Sequence, residues 1–216
     1  GWVFLERTDG IFALLGLLAA VLALFTVYCT GMIYASLRTI RQWHQPLVPW
    51  VYITLALTTG ALLMMAQVHL FGIESPWFSL LTAALASLAL LLKQHYWATI
   101  DTEKKTWTIG DATGLGKHGH VRVLDLPHTQ DNFVMREMGY AVARQHAMKL
   151  RGIVRLLAFL VPGALCLITI APSAPLATSA AVLAVIAAAV GIAVERWLFF
   201  AEAEHVSMLY YGRPAA

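Results

Sequence analysis

Glu195, Arg196, Glu202, Glu204 and His205 crowd into the closing stretch VERWLFFAEAEHVSMLYYG, directly after a long apolar run. On a helix, Glu195, Phe199 and Glu202 share one stripe, spaced four and three apart, and Glu202 and His205 are neighbours on one face. His95 and Tyr96 stand late in another apolar run, beside Lys93. Ionisable groups within or at the edge of a membrane span are costly to keep there and point to function. Carboxylate, imidazole, phenol and guanidinium near a membrane interface suit quinone chemistry. A quinone head group needs a donor for each carbonyl and a group that gives or takes protons, in a pocket open to lipid. His95, Tyr96, Glu195, Arg196, Glu202 and His205 are therefore the candidates for a quinone site or a proton path. The competing reading is structural: charges that snorkel to the interface and histidines that cap helix ends.

Other chemistries are poorly served. Cys29 and Cys166 each sit inside an apolar run, and no C-x-x-C or cysteine cluster could hold zinc or an iron–sulfur centre. A haem needs two histidines at similar depth on facing helices, yet His69 and His95 fall at opposite ends of adjacent spans. The remaining histidines, His44, His118, His120, His128, His146 and His205, lie outside the hydrophobic runs. In GDATGLGKHGH, five residues separate Gly110 from Gly116, and His118 follows Lys117, so spacing and hydroxyl both fail the phosphate-loop pattern. No catalytic or metal-ligating set is expected in this chain. A transporter would want broken helices and mid-span ionisable groups. The spans offer mostly hydroxyls such as Thr54, Thr58 and Thr59.

The elements that must position these residues are membrane helices. Of 216 residues, 59% are hydrophobic and 12% charged, whereas soluble domains carry about 25% charged residues. Five runs reach the roughly 20 residues that a spanning helix needs: Gly10 to Leu37, Pro49 to Phe71, Trp77 to Trp97, Ile153 to Ile170, and Leu176 to Phe200. Pro162 falls inside the fourth and is tolerable in a bundle whose neighbours satisfy the freed carbonyl. Small residues crowd the fifth, so a neighbouring helix can approach closely. The first connection holds Arg38 and Arg41 and no acid; the second holds Glu74 alone; the fourth is uncharged. The third, Lys93 to Arg151, holds nine of the chain's 15 Lys and Arg. The odd connections thus share one basic face, which the positive-inside rule places in the cytoplasm of a bacterial inner membrane. The expected organisation is three spans over 1–97, a basic loop over 98–151, two spans over 152–200 and a tail over 201–216. The net charge of +3 follows from this topology, and nucleic acid is not an expected partner.

In the long loop, TEKKTWTIGDATGLGKHGHVRVLDLPH reads as extended or hairpin structure with glycine turns. DNFVMREMGYAVARQHAMKLR reads as a basic helix capped by Asp131 or Asn132, able to lie on the lipid surface or to dock a partner. Arg38, Arg41, Lys117, Arg122, Arg136 and Arg144 are the docking candidates on the basic face.

VYCTGMIYASLRTIRQWHQPLVPWVYITLALTTGALL (Val27 to Leu63), MREMGYAVARQHAMKLR and ERWLFFAEAEHVSMLYY (Glu195 to Tyr211) together resemble the membrane anchor subunit of the dimethyl sulfoxide reductase family. The closing segment is most like the sulfite dehydrogenase branch. The resemblance covers essentially the whole chain. It implies an all-α polytopic bundle of about eight spans, of which five are present here, so that the chain is expected to be the C-terminal portion of a longer protein. It also implies a haem-free anchor that exchanges electrons with the quinone pool. The implied partners are an iron–sulfur subunit with four clusters and a molybdopterin catalytic subunit. The family histidine implicated in quinol binding belongs to the earlier spans, and His69 does not take its place. The positions that carry over are Glu195, Arg196, Trp197, Phe199, Phe200 and His205. On this basis Glu195 and Arg196 are expected to order the helix end. Glu202, Glu204 and His205 are expected at a docking surface or along a proton path.

Overall fold

The computed structural model describes residues 9–103, 107–125, 141–170 and 174–211. In chain order the helices are α1 (Gly10–Ala35), α2 (Val48–Leu70), α3 (Pro76–Thr102), the short α4 (Ile109–Thr113) and α5 (Ala141–Gln145), then α6 (Ala147–Ile168) and α7 (Ala174–Ala201). Short 3-10 turns cover Leu115–His118 and Val206–Tyr211. α1, α2, α3, α6 and α7 are each long and apolar enough to cross a membrane, and they coincide with the five expected runs. The chain is a multi-pass membrane protein. Among the described residues there is no strand; Ile40 and His205 form an isolated antiparallel bridge.

Proline in the first turn starts α2 (Pro49) and α3 (Pro76), where its missing N–H has no partner to lose. Gly72, at φ 72°, reverses the chain after α2. α2, α3, α6 and α7 close a four-helix ring, each packing on the next, and α1 leans on α2. Gly31, the buried residue of α1, makes that contact: a Cβ there would lie 2.7 Å from Pro49 Cα.

α6 is not uniform. Over Arg155–Leu160 it widens to a π turn, in which the Val161 N–H reaches back to the Leu156 carbonyl. Pro162 follows at once and cannot donate. The widened turn shifts the bonding register where proline would otherwise leave a gap. The bulged backbone meets α7 at Gly191, where a Cβ would stand 2.6 Å from Ala158 Cα.

Two cores fill the ring. One, at the basic end, joins Val48, Val51, Tyr96, Trp97, Val154, Phe159, Leu198 and Phe199. The other, toward the opposite end, joins Leu62, Met65 and Cys166 to Ala181, Ala184 and Ala188. Lipid gives apolar helices little reason to associate, so close packing of such small residues holds that end together.

The first connection, the third and the tail meet at one end. Arg41 donates to the carbonyls of Ile100 (2.9 Å) and Glu103 (3.1 Å). The Val206 N–H reaches the Thr39 carbonyl at 3.0 Å, and the Tyr210 hydroxyl donates to the Ala112 carbonyl at 2.9 Å. Within the third connection, where extended or hairpin structure is expected, residues 109–118 instead form α4 and a 3-10 turn. Thr108 and Asp111 form a reciprocal capping box, and Gly114, at φ 71°, ends the helix. Local capping thus outweighs the glycine-rich composition. Most of the expected basic helix, including Asp131, Asn132 and Arg136, lies outside the described residues; its last part is α5 and the start of α6.

Candidate functional site

The basic-end core is not purely apolar. Lys93 of α3 and Glu195 of α7 are 1% and 0% exposed, and their charged ends meet in an ion pair. Glu195 also takes both Nε and Nη2 of Arg196. Two cations therefore face one carboxylate in the protein interior. Glu195 lies six residues before the end of α7, about 9 Å of rise, and Lys93 nine residues before the end of α3, about 14 Å. Aromatic rings cover the excess positive charge. Lys93 Nζ stands 4.3 Å from the Tyr96 ring centre and 5.1 Å from that of Trp97. The Arg196 guanidinium lies 4.4 Å from the Tyr52 ring and 4.9 Å from Phe199. Ring faces are electron-rich, so they stabilise cations where water is excluded. Phe199 also stacks on Trp43 at 5.6 Å, and Trp43 Nε1 donates to the Phe199 carbonyl at 3.0 Å. The first connection is thereby pinned to α7.

A second charged layer lies outward of this pair. Arg151 of α6 makes a bidentate pair with Asp101 of α3 (2.5 and 2.9 Å) and donates Nε to Glu202 at 2.7 Å. Burial pushes the Glu202 carboxyl above its ordinary range, against the opposing pull of Arg151. A cleft of about 330 Å³ opens over this layer, walled by Arg41, Asp101, Glu103, Arg144, Arg151, Glu202 and Glu204. Beneath it the buried Tyr96 hydroxyl donates to the Gln42 carbonyl at 2.9 Å. At the other end of the ring, His69, Glu74, Ser75, Thr169 and Thr178 line a smaller cleft of about 190 Å³. Among the described residues, no group of histidine, cysteine and carboxylate side chains is arranged to hold a metal ion.

The profile of the DMSO reductase anchor subunit (DmsC) family matches residues 4–212. The chain belongs to the DMSO reductase anchor subunit family. It is also 30% identical over 205 residues to a sulfite dehydrogenase subunit of Allochromatium vinosum, an alignment covering 92% of this chain and 60% of that protein. The chain thus spans about 60% of the length of the curated relative it matches. No solved structure matches it.

In this anchor-family chain, four of the six candidates for a quinone site or proton path converge. Glu195 and Arg196 form the inner cluster, Tyr96 lies over Lys93, and Glu202 belongs to the outer layer. His95 does not join them; it points outward from α3. His205 Nδ1 bonds Ser207 at 2.8 Å, and its backbone bridges Ile40, so it orders the tail. The docking candidates also divide. Arg38, Lys117 and Arg122 are exposed. Arg41 is engaged with Ile100 and Glu103, and Arg144 donates to the carbonyls of Ala201 (2.9 Å) and Ala203 (2.7 Å), so both tie the tail and connections together.

Lys93 is the residue that sequence reasoning missed. Read as a basic flank of the third span, it was expected at the interface. The helix instead runs nine residues further, to Thr102. The signal was present: Lys93, Tyr96, Trp97 and Ile100 recur at helical spacing, so the run continues as one buried face. The pairing of Asp101 with Arg151 had no comparable signal, because it joins residues 50 positions apart.

Proposed function

We propose that the protein is the membrane anchor subunit of a molybdopterin iron–sulfur oxidoreductase. It holds an iron–sulfur subunit and a molybdopterin subunit at the cytoplasmic face of a bacterial inner membrane and exchanges electrons with the quinone pool. The family match over residues 4–212 carries this reading. The relative's name, which makes it part of a sulfite dehydrogenase, favours sulfite as the substrate of the catalytic partner. Chemistry at molybdenum belongs to that partner.

The basic-end cluster supports quinone exchange on chemical grounds. Arg196 is the lipid-side member, with its side chain 26% exposed. Nε and Nη2 go to Glu195, and the guanidinium lies against the Tyr52 ring, where a quinone carbonyl would meet a cationic donor. A quinone bound there accepts or delivers electrons; the chain's own task is to orient the ring, exclude water and manage protons. Arg38, Lys117 and Arg122 present positive charge on the same end, where an electron-exchanging partner docks.

The test is to tag the full-length protein, extract it in mild detergent, identify what co-purifies and assay molybdenum and iron. Two soluble subunits with molybdenum and abundant non-haem iron are expected. A metal-free protein that stays alone and monodisperse would overturn the anchor role.

A further inference from the structure

We propose that Arg155, beside the notch that Gly152 leaves on α6, binds the phosphate of an anionic phospholipid in the leaflet at the basic end. Three cations surround the ring of Trp97, a residue of α3 that is 2% exposed. Lys93 Nζ lies 5.1 Å from the ring centre, and the guanidinium carbons of Arg151 and Arg155 lie 5.4 and 5.3 Å from it. Lys93 pairs with Glu195, and Arg151 pairs with Asp101 and Glu202. Among the described residues Arg155 pairs with no carboxylate. Its Nε is buried and meets no acceptor, and the same is true of the Trp97 indole Nε1. Both orphaned groups are donors, so the spot lacks an acceptor, and the uncompensated guanidinium calls for an anionic one. The ring face is a weaker partner than an oxyanion.

The place of Arg155 in the fold says where that anion comes from. Arg155 opens the widened turn of α6, four residues and about 6 Å of rise inward of Arg151. A helical side chain leans toward its helix N-terminus, and α6 starts at the basic end, so Arg155 leans over the turn that contains Gly152. A Cβ at Gly152 would meet nothing within 4 Å, so this turn is open where a side chain would otherwise stand. Arg155 is half-buried and takes no part in the wall of the cleft over the outer charged layer. Its neighbours Ile153 and Leu156 are exposed apolar residues of a lipid-facing surface. Arg155 also lies eight residues, about 12 Å of rise, inside the start of α6, a depth that a lipid reaches more readily than a soluble subunit does. A long basic side chain at that depth extends toward the interface, where the phosphodiesters are. Basic pockets between spans on the cytoplasmic side hold acidic head groups. The guanidinium fork suits phosphate through parallel N–H bonds, and a head group with its own ammonium offers less net attraction.

The full-length protein is delipidated in a nonionic detergent, and its melting temperature is followed as cardiolipin, phosphatidylglycerol, phosphatidylcholine or inorganic phosphate is added. The two anionic lipids are expected to raise it, and phosphatidylcholine and inorganic phosphate are not. Arg155→Gln should raise the anionic lipid concentration needed for a half-maximal shift about tenfold, the loss of one charge-assisted contact. That variant strands no carboxylate, so its fold is retained. Gly152→Leu keeps the charge but fills the notch, and it should act in the same direction. Arg38→Gln removes an exposed charge on the same end and should leave the lipid response unchanged. A wild-type lipid response in both Arg155→Gln and Gly152→Leu overturns the site. An equal loss in Arg38→Gln also overturns it, because the attraction is then that of the whole basic face. A shift produced as well by phosphatidylcholine removes the anionic preference, and one produced by inorganic phosphate alone makes the site one for free anions. Release of co-purifying soluble subunits by Arg155→Gln, with the lipid response intact, assigns the missing acceptor to a partner protein and defeats the lipid.

Discussion

Glu195 is shared by two cations, and the consequences of removing each member of the cluster are unequal. Lys93→Met leaves the Glu195–Arg196 pair balanced. Glu195→Ala leaves two buried cations with no carboxylate between them. Breaking a buried pair from one side costs about 3–5 kcal/mol. We expect Glu195→Ala to approach that loss and Lys93→Met to fall well below it. Thermal unfolding in detergent checks the order, and equal losses would show that Arg196 does not neutralise Glu195. Glu202 makes a pH prediction of definite sign. Its folded carboxyl titrates above the ordinary range, so the folded state binds this proton more tightly than the unfolded chain does. Stability from this group is present below the ordinary glutamate value of about 4.3 and declines as pH rises through the higher folded value. Glu202→Gln should flatten that decline in a melting-temperature series across pH. At this scale the sequence showed which groups were costly, because charge stands out in an apolar run. It did not show which charges meet, since Lys93 and Glu195 reach each other across the ring that α2, α3, α6 and α7 close.

The helices themselves were legible because a spanning run needs only length and hydropathy, and both are local. The deformation of α6 was half legible. Pro162 announced a break, but the π turn that absorbs it depends on α7 leaving room at Gly191. Gly191→Leu should therefore unseat α6 from α7, with a side chain driven into the backbone at Leu157 and Ala158. Gly163, in the same stretch, has open space at its Cβ position. Gly163→Ala should be neutral or mildly stabilising, since alanine is favoured over glycine in a helix by about 1 kcal/mol. Protease resistance in detergent distinguishes the two variants, and tolerance of Gly191→Leu would mean that the close approach does not exist. The third connection was misread for a related reason. Its glycines suggested a hairpin, yet Thr108 and Asp111, three apart, cap a helix turn. The Thr108 hydroxyl and N–H hold the Asp111 carboxyl below its usual range.

At the scale of the whole molecule, charge and connectivity argue for one orientation. The basic connections, the tail and both charged layers gather at one end, whereas at the opposite end the described charges are Asp9 and Glu74, with the cleft beside His69. Basic segments near span ends resist translocation, so the gathered end should face the cytoplasm. Single cysteines placed on a Cys29→Ser background report this directly, because Cys29 is exposed whereas Cys166 is buried. In right-side-out vesicles, Glu74→Cys should react with a membrane-impermeant maleimide, and Lys117→Cys should react only after permeabilisation. The reverse pattern would turn the anchor over and put the proposed docking face, with the cleft above Glu202, on the outside. Labelling at both sites in intact vesicles would mean that the third span does not separate the two faces as α3 does here.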